Sequence, residues 1–134
     1  MLLMIDEAAE LTPVAGENKK IAAEATGLLE SILRRGRSSG AVVVAMTQDP
    51  RVQSFPLRPR FPQRLALRLN DEAEARMALS DVAVERGAAP WLIPADRPGS
   101  CWFCDLDTGN VQYFRAPYVD DNTLRALGST AAGV

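Results

Sequence analysis

The sequence has no histidine and only two cysteines in 134 residues. The lack of imidazole removes the commonest general base at neutral pH and a principal metal ligand. Cys101 and Cys104 are too few for a disulfide scaffold, and one C-x-x-C pair falls short of the ligand set a structural zinc site takes. Reduced, partly buried thiols in a strand are the expectation. With no histidine base and neither cysteine in an activated setting, a hydrolase built on a protein nucleophile is not expected. No apolar run approaches the roughly 20 residues of a membrane span, and no basic-then-apolar signal segment opens the chain. A soluble, cytoplasmic protein is expected, with any membrane anchor belonging to a longer parent. There is no internal repeat and no low-complexity segment. There is also no G-x-x-x-x-G-K-[ST]; Gly16-Glu17-Asn18-Lys19-Lys20 is not one, so no phosphate cradle is encoded.

What is present is ordinary globular material, 47% hydrophobic and 24% charged, enough for one domain with a core. The organising stretch is Met1-Leu2-Leu3-Met4-Ile5-Asp6-Glu7, an unbroken apolar run closed by two carboxylates. Such a run fits a strand buried on both faces, as in the parallel sheet of an α/β domain. Ligand groups collect beyond the carboxyl ends of such strands, where Asp6 and Glu7 fall. In nucleotide hydrolases the Asp of such a pair holds the Mg²⁺ shell and a neighbouring acid orients the attacking water. The plain alternative, a buried strand ending in a charged turn, stays open.

Pro13 and Gly16 delay any long helix to about Asn18. From Ile21 the apolar positions Ala25, Leu28, Leu29, Ile32 and Leu33 form a helical stripe that leaves Glu24 and Glu30 for solvent. Arg34 and Arg35 suit the helix C-terminus, and Gly36 is the expected stop. Ser38-Ser39-Gly40 then turns into Ala41–Met46, a second β-branched run ending in Thr47-Gln48-Asp49-Pro50. Strand, helix, strand is a βαβ unit. It makes the strands parallel and brings Asp6-Glu7 and Thr47-Gln48 to one edge of the sheet.

The formal net charge is only −2, but it is unevenly spread. Arg34, Arg35, Arg37, Arg51, Arg58, Arg60, Arg64 and Arg68 face a single acid, Asp49, within their stretch. A basic tract in an acidic chain suggests a nearby polyanion, nucleotide phosphate or nucleic acid; a solvated arginine-rich loop is the other reading. Pro56, Pro59 and Pro62 make 51–62 a surface loop. Residues 64–69 alternate as a third strand with Leu65, Leu67 and Leu69 inward. Asn70 or Asp71 caps a short helix to about Leu79, and 81–98 reads as irregular. Residues 100–104 and 111–115 flank Asp107-Thr108-Gly109-Asn110 as a hairpin, and Asp120–Leu127 is a final short helix.

The ordered set of Leu2–Glu7, Arg34-Arg35-Gly36-Arg37-Ser38-Ser39-Gly40, Ala41–Met46 and Thr47-Gln48-x-Pro50 resembles the motor domain of FtsK/SpoIIIE-type DNA translocases. That family carries a Walker B acid pair, an R-x-x-G segment, a strand and an A-T-Q-R-P-like motif in this order. Phe61–Arg68 looks like its I-P-T-R-I strand, and Arg97–Phe103 is similar to its G-x-G-D-M-L turn into a strand. The likeness covers about residues 1–115, and its second half looks like the actinobacterial-plasmid-like transfer branch.

The resemblance implies a partial RecA-like P-loop NTPase core in α/β form, mostly parallel, with a C-terminal β-hairpin and short helix. Residues 1–128 would be its part from Walker B onward, and 129–134 a flexible tail. It implies ATP and Mg²⁺ as cofactors of the complete motor. Asp6 would hold Mg²⁺ through water, Glu7 would polarise the lytic water, Gln48 would sense the γ-phosphate and Thr47 would lie beside the nucleotide. Arg37, or else Arg34, would be an arginine finger reaching a neighbouring subunit. Charge balance at a helix end is the other reading of Arg37, and a turn hydrogen bond that of Gln48. Arg51, Arg58 and Arg60 would lie near double-stranded DNA. The parent would be a hexameric ring serving chromosome segregation or conjugation, with a conjugation coupling ATPase as a related reading.

Two departures stand out. Asp49 replaces the family's usual Arg, and the P-loop is missing. The chain is therefore expected to be the C-terminal half of an ATPase core, inactive alone, with an exposed apolar surface where the other half would sit. The alternative is a non-hydrolysing interaction module derived from such a motor, binding a partner through that uncovered face.

Overall fold

The two apolar runs form strands β1 (Leu2–Ile5) and β2 (Val42–Ala45), joined by helix α1 (Lys19–Ser39). The computed structural model describes residues 1–12, 18–51 and 53–132. The expected break at Pro13 and Gly16 lies outside the described residues. The strands are parallel, with Leu2 opposite Val42 and Ile5 opposite Ala45. Pairing continues past their ends: Met46 N–H donates to the Ile5 carbonyl (2.8 Å), and Ala8 N–H to the Met46 carbonyl (2.7 Å).

Helix α1 starts where Asn18 Oδ1 accepts the Ile21 N–H at 3.3 Å. It does not stop at Gly36. It runs on to Gly40, whose φ of +66° is the left-handed conformation a glycine adopts without a Cβ clash. There the Ala41 N–H reaches back to the Gly36 carbonyl at 2.9 Å, the closing bond of a Schellman turn. Gly36 has a different task. A Cβ on it would lie 3.1 Å from the Ala41 side chain, so its bareness lets the returning chain pass close.

Leu29 and Leu33 of α1 pack with Leu3, Ile5, Val43 and Ala45, while Ala8, Phe55, Leu57 and Phe61 complete the cluster. The inward stripe is turned from the expected one: Ala22 is buried, but Ile21 and Leu28 are exposed. On that turned side the Thr26 hydroxyl lies 2.9 Å from the Leu11 carbonyl and 2.8 Å from the Ala22 carbonyl of its own helix. The other sheet face is bare. Leu2 (62% exposed), Met4 (61%), Val42 and Val44 point away from α1. The strands expected to be buried on both faces are covered on one, because a lone crossover helix can cover only one side.

The second half is antiparallel. Strands β3 (Gln63–Ala66), β4 (Ser100–Asp105) and β5 (Asn110–Arg115) form a sheet in the order β3-β4-β5. The third strand thus joins the hairpin rather than the parallel pair, so among the described residues parallel pairing is confined to β1 and β2. The hairpin turns where expected: Asp105 Oδ1 accepts the N–H groups of Asp107 (3.0 Å) and Thr108 (3.3 Å), and Gly109 takes φ +70°. Trp102 and Tyr113 meet across the strands with ring centroids 5.5 Å apart.

The parity of β3 is opposite to the expected one. Ala66 is buried, Arg64 is half-buried, and Leu65 (52%) and Leu67 are exposed. Arg64 wins the inward place because its guanidinium finds carbonyls there, Phe61 O at 3.0 Å through Nε and Leu79 O at 2.8 Å through Nη1.

Helix α2 (Glu72–Ala78) begins at Asp71, whose Oδ1 accepts the Glu74 N–H at 2.8 Å. The supposedly irregular stretch holds helix α3 (Asp81–Glu85), capped by Ser80, and a 3₁₀ turn at Pro90–Leu92. The prolines that hid the helix all lie beyond it. Leu79, Ala83 and Ala88 pack onto Ala66 and Cys104 of the sheet, giving the second core. A last helix, α4 (Asp121–Ala132), is exposed along its described side chains. It outlasts the expected end at Leu127 and runs to Ala132 where a tail is expected from Ser129, with the Ser129 and Thr130 hydroxyls 2.9 and 3.0 Å from the Arg125 and Ala126 carbonyls. The fold is α/β, with a two-stranded parallel sheet, a three-stranded antiparallel sheet and four α-helices among the described residues.

Candidate functional site

The parallel pairing of β1 and β2 delivers Asp6-Glu7 and Thr47-Gln48 to the same edge, as the βαβ argument requires. The link between them runs through Glu7. Its Oε1 accepts the Ala9 N–H at 3.1 Å, opening the 3₁₀ turn Ala8–Leu11, and its Oε2 accepts the Gln48 N–H at 3.1 Å. Partial burial pushes the Glu7 carboxyl up, but hydrogen bonds from the Thr47 side chain and the Ala9 and Gln48 amides outweigh it. Even with the Asp49 charge nearby, the group sits below its ordinary value of 4.5. The Thr47 hydroxyl also lies 3.2 Å from the Asp49 carbonyl, and its single proton serves one acceptor at a time. Asp6 is exposed beside this network.

Asp49, the position that departs from the family pattern, is the second hub. Its Oδ1 accepts from Arg51 Nε at 2.9 Å and from the Arg51 N–H at 3.0 Å, and its Oδ2 accepts from Arg51 Nη2 and Ser54 Oγ, both at 2.5 Å. The Arg51 guanidinium and Ser54 hold its carboxyl well below the usual carboxylate range. Sequence reading passed over this pairing. Its signal was an Asp before Pro, with the amide two residues on free to close an Asx turn.

The basic tract is largely answered from within the molecule. Arg51 is taken by Asp49, Arg60 pairs with Glu30 at 2.9 Å, and Arg58 gives Nη1 to the Pro50 carbonyl at 2.6 Å and to the Met77 carbonyl. Arg64 also faces inward, where burial and the nearby Arg58 charge lower its pKa. Of the candidate fingers, Arg34 is exposed near the end of α1, away from the strand ends that carry Asp6 and Gln48. Arg37 lies in the last turns of α1, and its side chain is outside those described. Cys101 and Cys104 are buried and unbonded to each other, and burial raises both thiols.

These residues fit part of a Mg²⁺ shell. Asp6 can offer one exposed carboxylate, and Mg²⁺ commonly takes only one or two from protein, filling the rest with water and phosphate. Among the described residues no group of three or more His, Cys, Asp or Glu could hold a metal by itself.

No family model matches the chain. It is similar to a sporulation regulatory protein of Streptomyces azureus. The two are 27% identical over 95% of this chain and 43% of that protein. The chain thus spans less than half the length of the curated relative it matches. Among the described residues, no helix is long and apolar enough to cross a membrane.

Proposed function

We propose that this chain is the Walker B-bearing part of an ATP-driven double-stranded DNA translocase of the FtsK/SpoIIIE type. The observation that carries the reading is the meeting of Asp6-Glu7 and Thr47-Gln48 at one end of two parallel strands, tied by the Gln48 N–H on Glu7. Acids and a polar strand-end residue at that edge are what phosphoryl transfer needs besides a phosphate cradle. In this reading Asp6 holds Mg²⁺ through water, Glu7 polarises the lytic water and Gln48 reads the γ-phosphate. Mg²⁺–ATP, when bound, supplies the transferred phosphoryl group. The similarity to a sporulation regulatory protein goes with a sporulation-related role and does not choose between chromosome segregation and plasmid transfer.

The second reading, a non-hydrolysing interaction module, draws support from two observations. Both Glu7 oxygens are occupied by backbone amides, and the β1–β2 face is bare. One assay separates the two: DNA-stimulated ATP hydrolysis by the chain alone, and by the chain mixed with a separately made P-loop-bearing half. The translocase reading expects silence alone and activity in the mixture that is lost in Glu7→Gln. A folded chain that binds the other half without activity overturns it in favour of the module.

A further inference from the structure

The Glu7 carboxylate joins two elements that are remote in sequence. Oε1 takes the Ala9 amide, two residues on, and Oε2 takes the Gln48 amide, 41 residues on. Both oxygens are thus engaged before any substrate atom is considered. A carboxylate accepting a separate N–H on each oxygen is a charge-assisted, two-point tie whose geometry an amide cannot copy, because an amide offers one oxygen and one NH₂. The surroundings add direction. Ala8 is fully buried, the Thr12 hydroxyl behind it lies 2.8 and 3.0 Å from the Ala9 and Ser54 carbonyls and donates to one of them at a time, and Gln48 itself is exposed. One end of the tie is therefore anchored in the core, and the other lies at the exposed end of β2.

We propose that Glu7 is a positioning residue that fixes where Gln48 stands, acting on the chemistry through Gln48 before it meets any water itself. The inference rests on the translocase reading only for the task given to Gln48; the tie itself does not. Among the described residues, Asp6 is then the exposed acid at this edge without a hydrogen bond to the protein. Loss of activity in Glu7→Gln would report displaced Gln48 as well as lost water activation.

Amide exchange, followed residue by residue in the chain alone, tests the tie. Glu7→Gln should speed exchange at one of the Ala9 and Gln48 amides by about tenfold, and Glu7→Ala should speed both, while the β4–β5 amides stay as they were. The Gln48 amide proton should also move upfield in both variants as it loses a charged acceptor. If Glu7→Ala unfolds the chain, the isosteric Glu7→Gln still decides. In the two-part ATPase, Glu7→Gln should cost several-fold less in a Gln48→Ala background than in the parent. Unchanged exchange at both amides, or full additivity in that cycle, overturns the proposal. A silent ATPase would instead sink the translocase reading and leave the exchange result to decide the tie.

Discussion

The parallel half and the antiparallel half solve the same burial problem with different completeness. Around β3, β4, β5, α2 and α3, the core residues Leu79, Ala83, Ala88 and Cys104 are all but removed from water, with Leu79 at 0% exposure. Around β1, α1 and β2 the core is a single layer, with Leu29 at 4% on one side and bare Met4 and Val44 on the other. Both sheets are covered on one face, since Leu65 (52% exposed) and Phe114 (40%) lie on the side of the antiparallel sheet opposite Ala66 and Cys104; what differs is how completely the covered side is removed from water. A two-stranded parallel unit with a single crossover helix is half a layered design, and its sequence still reads as though both faces were meant for burial.

The largest expected effect tests that contrast. Leu79→Ala should cost about 4 kcal/mol and Leu29→Ala about 2.5 kcal/mol in urea unfolding, because the one-sided core around Leu29 can collapse into the space. Equal losses would mean the two cores are equally tight. A smaller effect sharpens the role of the inward Arg64. Arg64→Met keeps the buried stem but strips the Phe61 and Leu79 carbonyls of their donor, for a loss of about 1–3 kcal/mol by the same measurement. A neutral result would show that water replaces the guanidinium without penalty. The smallest change in stability, within about 0.5 kcal/mol, is expected for Met4→Lys on the bare face, accompanied by reduced self-association in light scattering. If that variant unfolds the chain, the face is covered after all and the contrast fails.

Much of the architecture could be read from the residues because those residues act locally. The runs Leu2–Ile5 and Val42–Ala45, the Asn18 start of α1, the Asp71 cap and the Asp105–Gly109 turn each declare themselves within a few positions. What escaped was decided at a distance. Whether Gly36 or Gly40 ends α1 depends on how closely Ala41 passes. The inward choice of Arg64 over Leu65 depends on carbonyls at Phe61 and Leu79 that no periodicity records. α3 hid because a five-residue helix offers too short a stripe against the prolines that follow. At the candidate site, the shared edge of Asp6-Glu7 and Thr47-Gln48 followed from the βαβ rule. The occupation of Glu7 by backbone amides and the taking of Arg51 by Asp49 did not. Charge counting sees how many arginines there are and not which of them already have partners.

The glycine turn at Gly40 has a consequence for handedness of a different kind, that of inside and outside. Because the Ala41 amide is pinned to Gly36, the chain enters β2 in a fixed phase, and that phase alone assigns Val43 and Ala45 to the helix side and Val42 and Val44 to the bare side. One residue added after the turn would invert the assignment, sending the bulkier pair inward and carrying Thr47 and Gln48 half a pleat away from Glu7. A short bend far from the acids therefore acts as the clock by which the strand end arrives in step with them.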